Sequence, residues 1–268
     1  MGTVEPARGT GGAAFELKGV TVRIEGRPVV DDVHLTLEGG RVHGLIGPNG
    51  SGKSTLIQLL ARQIPPHSGE VLFRGRPVAS LTARAFAREV AYLPQFSPSA
   101  DGLLVRELVA LGRFPWHGAL GRFGPRDRAK VDEAIARAGL LHMAARRVDT
   151  LSGGERQRAW LAMLLAQDAS CLLLDEPTSA LDLAHQMDVL ALVRDLSLER
   201  AITVVVILHD INLAARHCDS IVALGAGRVV FQGSVAQVMT ADVLQRIYAV
   251  PMGITHPRDL GQPIGYPL

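Results

Sequence analysis

Apolar and polar residues alternate along the first part of the chain with the two-residue period of a half-buried β-strand. Strands are therefore predicted at 14–24, 29–37, 41–47, 70–73 and 89–94. At 53–62 the apolar residues recur with helical spacing, which predicts a helix that ends before the Pro65-Pro66 pair. This half of the chain is expected to consist mainly of strands.

The second half of the chain has a different pattern. Helical spacing dominates 105–147, with a Gly- and Pro-rich interruption at 112–125, and a long helix is predicted from Glu155. Beyond it strands and helices alternate, with strands predicted at 171–174, 202–208 and 221–224 and helices at 183–198 and 211–217. Such alternation predicts an α/β fold around a mainly parallel sheet.

The pattern also suggests how the chain is divided. We expect a flexible tail at 1–13, one domain at 14–251 with a helical insertion at about 97–150, and a C-terminal extension at 252–268. Cys171 and Cys218 lie in or beside apolar segments without metal-ligand spacing, so both are expected to be buried, reduced thiols.

Composition limits the classes of protein that fit. The 268 residues are 47% hydrophobic and 20% charged, which excludes intrinsic disorder. A formal net charge of +2 and an aromatic content of 4% argue against a nucleic-acid partner. We expect neither a membrane span nor a secretion signal, since no apolar stretch approaches ~18 residues and the N-terminus has no apolar core. The mean hydropathy of +0.19 suggests that a partner covers part of the surface.

The segment 47–54, GPNGSGKS, matches the phosphate-binding pattern G-x-x-x-x-G-K-[ST] between a predicted strand and a predicted helix. Its glycines let backbone N–H groups converge on phosphate oxygens, while Lys53 reaches the β- and γ-phosphates and Ser54 is suited to Mg²⁺. An ordinary glycine-rich turn is the alternative, and the strand–loop–helix context argues against it. The predicted phosphate-binding residues are Gly47, Pro48, Asn49, Gly50, Ser51, Gly52, Lys53, Ser54 and Thr55.

Asp175 and Glu176 follow the apolar run at 172–174. Alone, such a pair is most simply a core strand that meets a polar loop. Beside a phosphate loop, Asp175 is suited to the ligand shell of Mg²⁺, and Glu176 to orienting or deprotonating the attacking water. These two carboxylates would supply the positioning and charge neutralisation that hydrolysis needs.

The segment 151–157, LSGGERQ, begins the long helix. Ser152 as helix cap and Glu155 as its capping-box partner explain two of its residues. They do not explain Gly153 and Gly154, because glycines destabilise the first helical turn. Glycines there permit phosphates to approach exposed N–H groups, which indicates a second anion-binding helix terminus.

LSGGERQ resembles the signature sequence of ATP-binding-cassette (ABC) ATPases. The other motifs of that family follow the same order along the chain: Gln95 resembles the Q-loop glutamine, 179–182 the D-loop with Asp182, and His209 the switch histidine. The resemblance covers about 15–251. It implies a P-loop NTPase with a RecA-like, mainly parallel sheet core, an N-terminal antiparallel β subdomain and an inserted helical subdomain.

The resemblance also implies ATP and Mg²⁺ as ligands and assigns roles to residues. The implied catalytic residues are Lys53, Gln95, Glu176 and His209, the implied Mg²⁺ ligands are Ser54, Gln95 and Asp175, and further nucleotide contacts fall to Ser152, Gly153, Gly154 and Asp182. One position departs from the family. Ile24 stands where an aromatic side chain usually stacks on adenine, so aliphatic contact is expected instead.

Partners are implied in the same way. Two cassettes pair head to tail, so that each ATP lies between the phosphate loop of one copy and the signature of the other. The chain resembles the separate ATPase subunit of an importer, bound to permease subunits at the cytoplasmic face of the bacterial inner membrane and served indirectly by a periplasmic or surface binding protein. The segment 113–117 is expected to cradle a short permease helix, with an internally packed loop as the alternative.

The segments 112–124 and 208–219 are similar to those of the iron-chelate and vitamin B12 importer group, and most to its ATPases for ferric hydroxamate siderophores. Haem, another ferric siderophore or vitamin B12 are alternative cargoes. A soluble ABC ATPase in nucleic-acid or translation work is a remote alternative. A P-loop kinase would have no use for LSGGERQ.

Overall fold

The protein is described here by a computed structural model that covers residues 12–96, 98–118, 121–179, 181–257 and 261–268. The strands are β1 (Ala13–Ile24), β2 (Arg27–Glu38), β3 (Val42–Ile46), β4 (Ser68–Phe73), β5 (Arg76–Pro77), β6 (Val90–Leu93), β7 (Cys171–Leu174), β8 (Thr203–Ile207), β9 (Ser220–Gly225), β10 (Arg228–Ser234), β11 (Met252–Thr255) and β12 (Ile264–Pro267). The α-helices are α1 (Lys53–Leu60), α2 (Ala83–Glu89), α3 (Val105–Leu111), α4 (Phe114–His117), α5 (Pro125–Arg137), α6 (Gly153–Ala166), α7 (Leu183–Arg200), α8 (Ile211–His217), α9 (Val235–Val238) and α10 (Ala241–Tyr248).

A six-stranded sheet forms the core, in the order β10-β9-β3-β8-β7-β6. All neighbours are parallel except β10, which runs antiparallel to β9 at one edge. Every residue of β3, β7 and β8 is buried, which explains why these strands read as continuous apolar runs in the sequence. The expected mainly parallel α/β core is confirmed.

Each face of this sheet has its own hydrophobic core. Alternate residues of a strand serve opposite faces, so Leu173 and Val205 join one core whereas Leu172 and Val204 join the other. The first core also contains α1 and the inward face of an antiparallel sheet with the order β2-β1-β4-β5. The N-terminal antiparallel sheet expected from the resemblance is therefore present.

Helices cover the second face. Both α3 and α5 pack against α6, and α3 ends at Gly112, where a Cβ would lie 2.1 Å from the carbonyl oxygen of Met163 in α6. This is the expected helical insertion, although its limits at 97–150 and the domain limits at 14–251 stay predictions. Most of the predicted tail, residues 1–11, lies outside the described residues. In the described ranges, no helix combines the length and apolar character needed to cross a membrane.

Segment 113–117 packs against its own chain more tightly than expected for a surface that cradles a permease helix. The guanidinium of Arg113 is 2% exposed, pairs with Asp127 at 2.9 Å and donates to the carbonyl oxygen of Ala166 at 2.8 Å. Trp116 donates from Nε1 to the carbonyl oxygen of Gln167 at 2.7 Å. The side chain of Arg113 therefore faces inward, because a buried guanidinium needs its carboxylate partner, whereas Trp116 is half-buried. Phe114 stays more than half exposed.

The sequence patterns did not predict the chain beyond β9. There β10 extends the core sheet, α10 buries Leu244 and Ile247, and β11 pairs with β12 in a hairpin. Asn212 of α8 fixes this hairpin with both atoms of its amide, since Nδ2 donates to the carbonyl oxygen of Gly265 at 3.1 Å and Oδ1 accepts from its N–H at 2.8 Å. The expected C-terminal extension is therefore bound to the core. Cys171 and Cys218 are buried free thiols, as expected.

His43 is a buried polar residue in the centre of the core sheet. Its Nε2 lies 2.8 Å from the carbonyl oxygen of Glu38, so Nε2 carries the proton, and Nδ1 accepts from the hydroxyl of Ser220 at 2.6 Å. Burial lowers the pKa of His43 below its ordinary value of 6.5. The folded chain therefore holds this ring neutral where the unfolded chain is already protonated.

We predict that this ring makes the fold sensitive to acid. Between pH 7.5 and 5.5 the unfolded chain binds a proton at His43 that the folded chain does not, so the free energy of unfolding should decrease as pH falls, by at most about 1.4 kcal/mol per pH unit for one proton. Urea denaturation at several pH values measures this slope. The variant His43→Asn should be less stable at pH 7.5 yet have a shallower slope, and an unchanged slope would contradict the prediction.

Candidate active site

Four predicted site segments meet because of the sheet topology. The phosphate loop follows β3, Gln95 lies two residues beyond β6, Asp175 follows β7, and His209 lies two residues beyond β8. These strands are parallel and occupy neighbouring places in the order β3-β8-β7-β6. Their carboxyl ends therefore meet at one edge of the sheet, where open α/β sheets bind ligands.

The loop between β3 and α1 has the backbone conformation that the motif requires. Gly47 and Gly50 have φ angles of 138° and 76°, which favour glycine. A Cβ at Gly47 would lie 2.2 Å from the carbonyl oxygen of Leu224, so the base of the loop packs directly on β9. At Gly50, no described atom lies within 4 Å of the corresponding position. The loop is fixed at its base and open at its tip.

Lys53 begins α1, and its ammonium group lies over the phosphate loop. Its Nζ donates to the carbonyl oxygens of Gly47 and Pro48 at 2.8 and 2.9 Å. Burial lowers the pKa of Lys53, while the charges of Glu176 and Asp175 act in the opposite direction. The two carboxylates thus favour the charged ammonium form that binds phosphate oxygens.

Asp175 is buried beside the first turn of α1. Its Oδ1 accepts a hydrogen bond from the hydroxyl of Ser54 at 3.2 Å. Burial raises the pKa of Asp175, and the hydrogen bond from Ser54 lowers it. A carboxylate and a hydroxyl at this distance are oxygen ligands of the kind that Mg²⁺ prefers, so these two residues fit the predicted metal site.

Glu176 is held between two other predicted catalytic residues. Its Oε2 accepts from Nε2 of Gln95 at 2.8 Å, and its Oε1 lies 2.7 Å from Nε2 of His209. The backbone of Glu176 has a φ of 50°, a conformation that costs of the order of 1 kcal/mol for a residue with a Cβ. The two adjacent carboxylates have different partners, since Asp175 contacts Ser54 whereas Glu176 contacts Gln95 and His209. Gln95 contacts Glu176, and its predicted role as a metal ligand stays a prediction.

These residues line one cavity of about 370 Å³. Its walls are the loop residues from Asn49 to Thr55 together with Val29, Gln95, Glu176 and His209. Ser51 has a buried hydroxyl oxygen without a hydrogen-bond partner in the described part of the chain. A polyphosphate fits this cavity, because the loop tip is open, the hydroxyl of Ser51 is unsatisfied and the ammonium group of Lys53 is buried. Ser54 and Asp175 fit the Mg²⁺ that would accompany it.

The predicted signature residues lie outside this cavity. Ser152 caps α6, where its Oγ accepts from the N–H of Glu155 at 3.3 Å and its own N–H donates to Oε2 of Glu155 at 2.8 Å. The predicted capping box is thereby confirmed. Asp182 caps α7 by accepting from the N–H of His185 at 2.9 Å. A single chain therefore brings together the phosphate loop, Gln95, Asp175, Glu176 and His209. Residues 152–154 and Asp182 lie away from this group.

Comparison with known proteins agrees with this geometry. The model of the family described as ABC transporter matches residues 30–179. The Iron(3+)-hydroxamate import ATP-binding protein of Bacillus subtilis is 40% identical over 87% of each chain. The chain belongs to the ABC transporter family.

Other members support the same assignment. The Hemin import ATP-binding protein of Streptomyces coelicolor is 43% identical over 90% of this chain and 85% of its own. A structure described as a metal-chelate type ABC transporter in an inward-facing conformation has a TM-score of 0.83 at 26% identity, over 96% of this chain and 97% of its own. An ATP-binding cassette solved as a dimer with ADP and Pi has a TM-score of 0.72 at 28% identity, over 82% and 98%. The protein is accordingly an ABC-type ATPase.

Two residues bear on the predicted adenine contact. Ile24, the predicted adenine contact, is 51% exposed at the end of β1 and is not among the residues that line the cavity. Val29 of β2 lines it instead, and its carbonyl oxygen would lie 2.4 Å from a Cβ at Gly52. Nothing in the sequence distinguishes Val29 from other alternating apolar residues of β2. The contact of Ile24 with adenine stays a prediction.

The role of Glu176 on the water side of the phosphate is a prediction that mutation can test. We predict that Glu176→Gln retains the hydrogen-bonding shape of the side chain but removes its proton-accepting carboxylate. ATP turnover should fall by about 10²- to 10⁴-fold, while the affinity for ATP changes little. Turnover with the permease present and ATP titration of the isolated chain measure the two effects.

The matched control is Lys53→Ala, which removes the charge over the phosphate loop. Both ATP affinity and turnover should fall in that variant. Near-normal turnover of Glu176→Gln would reject Glu176 as the key carboxylate, and unchanged affinity of Lys53→Ala would reject the role of Lys53.

Proposed function

We propose that this chain is an ATPase subunit that closes around two ATP molecules as a head-to-tail dimer and drives import of a ferric hydroxamate siderophore through a membrane permease. The observation that carries the proposal is that the predicted site residues fall into two separate groups. One cavity holds the phosphate loop and the hydrolytic side chains, whereas the signature residues Ser152–Gly154 face elsewhere. A second copy related by a two-fold axis would complete both sites at once.

Hydrolysis then follows from the placement of this chain's side chains. Lys53 binds the β- and γ-phosphates, and Ser54 with Asp175 holds Mg²⁺, which neutralises charge on the phosphates when bound. Glu176 accepts the proton of the attacking water at its carboxylate. Gln95 and His209 fix the position of that carboxylate through its two oxygens. The signature residues of the second copy would exclude bulk water and supply N–H donors to the outer phosphate.

Exposed apolar side chains support a permease partner. Phe96 follows Gln95 directly and is 84% exposed, and Leu111 and Phe114 are each more than half exposed. Large exposed apolar side chains that lie close along one part of the chain are typical of a protein contact. We place the permease here and the subunit at the cytoplasmic face of the bacterial inner membrane. A binding protein would contact the permease rather than this chain.

The cargo is supported by resemblance alone. The chain is the ATP-binding subunit of an importer of the iron-siderophore, vitamin B12 or haem type. Within that group, the Bacillus subtilis relative named for Iron(3+)-hydroxamate import favours a hydroxamate, whereas the Streptomyces coelicolor relative named for hemin import favours haem as the second candidate. The ATPase does not contact cargo, so the permease and the binding protein must select it.

The composite site can be tested with two damaged subunits. Ser152→Arg should leave ATP binding by the isolated chain nearly intact, since the phosphate loop is unchanged, yet block closure and hydrolysis. Mixed with Lys53→Ala, it forms dimers in which both lesions fall on one site and the other site is intact. Hydrolysis should return when the two variants are mixed. It should not return in the control, in which more of the same variant is added to either one.

The contrary result is equally specific. If Ser152→Arg abolishes ATP binding by the isolated chain while its circular dichroism is unchanged, the signature serves the site of its own chain and the dimer proposal is wrong.

The cargo is tested with the permease and binding protein reconstituted in vesicles. We predict that a ferric hydroxamate accelerates ATP turnover and is taken up, whereas haem, a ferric catecholate and vitamin B12 have little effect. Glu176→Gln in the same vesicles is the control for ATP-driven uptake. Uptake of haem without uptake of the hydroxamate would replace the proposed cargo by the second candidate.

A further inference from the structure

Gly154 is in close contact with a side chain of the helix that follows the D-loop. A Cβ built on Gly154 would lie 2.6 Å from Cδ2 and 2.7 Å from Cγ of His185. Such distances are too short for a real Cβ, so the imidazole of His185 would have to shift to admit one. The ring of His185 therefore occupies the space that any other residue at 154 would need.

The opposite end of the same ring contacts the D-loop. Nδ1 of His185 lies 2.7 Å from Oδ1 of Asp182, and the same oxygen accepts from the N–H of His185 at 2.9 Å. These bonds lower the pKa of Asp182, so its carboxylate stays charged. One histidine thus contacts the first turn of α6 and the cap of α7 together.

A second side-chain contact links the two helices one turn further along. Nη1 of Arg158 in α6 lies 3.6 Å from Oδ2 of Asp188 in α7. The starts of α6 and α7 are therefore neighbours in one chain, although about 30 residues separate them in sequence. The start of α6 carries the signature that the proposed function places against the nucleotide of the second copy, and the start of α7 carries the D-loop residue Asp182, a nucleotide contact implied by the resemblance.

We infer that His185 is a positioning residue that joins the signature segment to the D-loop, so that both approach the second copy as one unit. The inference rests on the proposed head-to-tail dimer. It also gives a different reason for Gly154: this glycine makes room for His185, rather than for a phosphate. The two explanations make opposite predictions for a variant in which both residues are changed.

Gly154→Ala, His185→Ala and the double variant form the test. Alanine favours a helix over glycine, so a loss of turnover in Gly154→Ala cannot come from helix propensity. We expect Gly154→Ala to reduce permease-stimulated turnover by about 10- to 100-fold, since displacements near 1 Å have effects of this size. Its ATP affinity as an isolated chain should be unchanged. His185→Ala should lower turnover less.

The double variant should recover turnover to about that of His185→Ala, because the new methyl group enters the space that the ring has left. Thermal unfolding should show the same pattern, with Gly154→Ala destabilising in the presence of His185 and neutral or stabilising in its absence. His185 is partly exposed, so its removal opens no core cavity and the single variant should fold. Gly261→Ala, where no described atom lies within 4 Å of the new Cβ, is the matched control.

ATP-dependent dimerisation of these variants in the Glu176→Gln background separates the possible failures. A double variant as inactive as Gly154→Ala would overturn the inference, because the glycine would then serve the nucleotide. Full turnover and dimerisation of His185→Ala would overturn the positioning role. If Glu176→Gln itself forms no dimer with ATP, the proposed function fails and the inference fails with it.

Discussion

The site depends on parallel strands that end at one edge of a sheet buried on both faces. The order β3-β8-β7-β6 places the phosphate loop, His209, Asp175 with Glu176, and Gln95 next to one another, although more than 110 residues separate Gln95 from His209. Such an edge can be held rigidly only because alternate side chains of each strand fill two separate cores. The base of the phosphate loop is itself part of this packing, since Gly47 lies against the backbone of β9.

Rigidity at this edge allows two adjacent carboxylates to act differently. Asp175 continues the direction of β7 and turns to Ser54, whereas the left-handed backbone of Glu176 sends the next side chain to Gln95 and His209. Strained backbone persists only where the surroundings fix it, and here both carboxylate oxygens of Glu176 are held. The same strand end therefore presents two carboxylates to two different sets of partners, as the predicted metal-side and water-side roles require.

Sequence reasoning could predict most of the residues that meet at this edge because their signals are local. The spacing of Gly47 to Ser54, the carboxylates after β7 and the capping box at Ser152 each lie within a few residues, so one short segment carries the whole signal. The features that sequence reasoning could not predict depend on contacts between distant segments. The edge strand β10 exposes alternate residues and buries none fully. Val29 reaches the cavity only through the pairing of β2 with β1, and Arg113 is buried because Asp127 and α6 surround it. The contact of Gly154 with His185 belongs to the same class.

Segment 113–117 shows how a surface contact can reach the site through such non-local bonds. Arg84 and Arg88 of α2 donate to the carbonyl oxygens of Pro115 and Trp116, and α2 leads directly into β6 and Gln95. The indole of Trp116 lies between the guanidinium groups of Arg88 and Arg113 at 5.0 Å from each, and it donates to the C-terminal end of α6, whose first turn carries the signature. These bonds link segment 113–117 at one end to the helix that leads into β6 and Gln95 and at the other to the helix capped by Ser152. The packing of Arg113 and Trp116 therefore provides continuous contacts between the exposed surface at Phe114 and the elements that carry the predicted site residues.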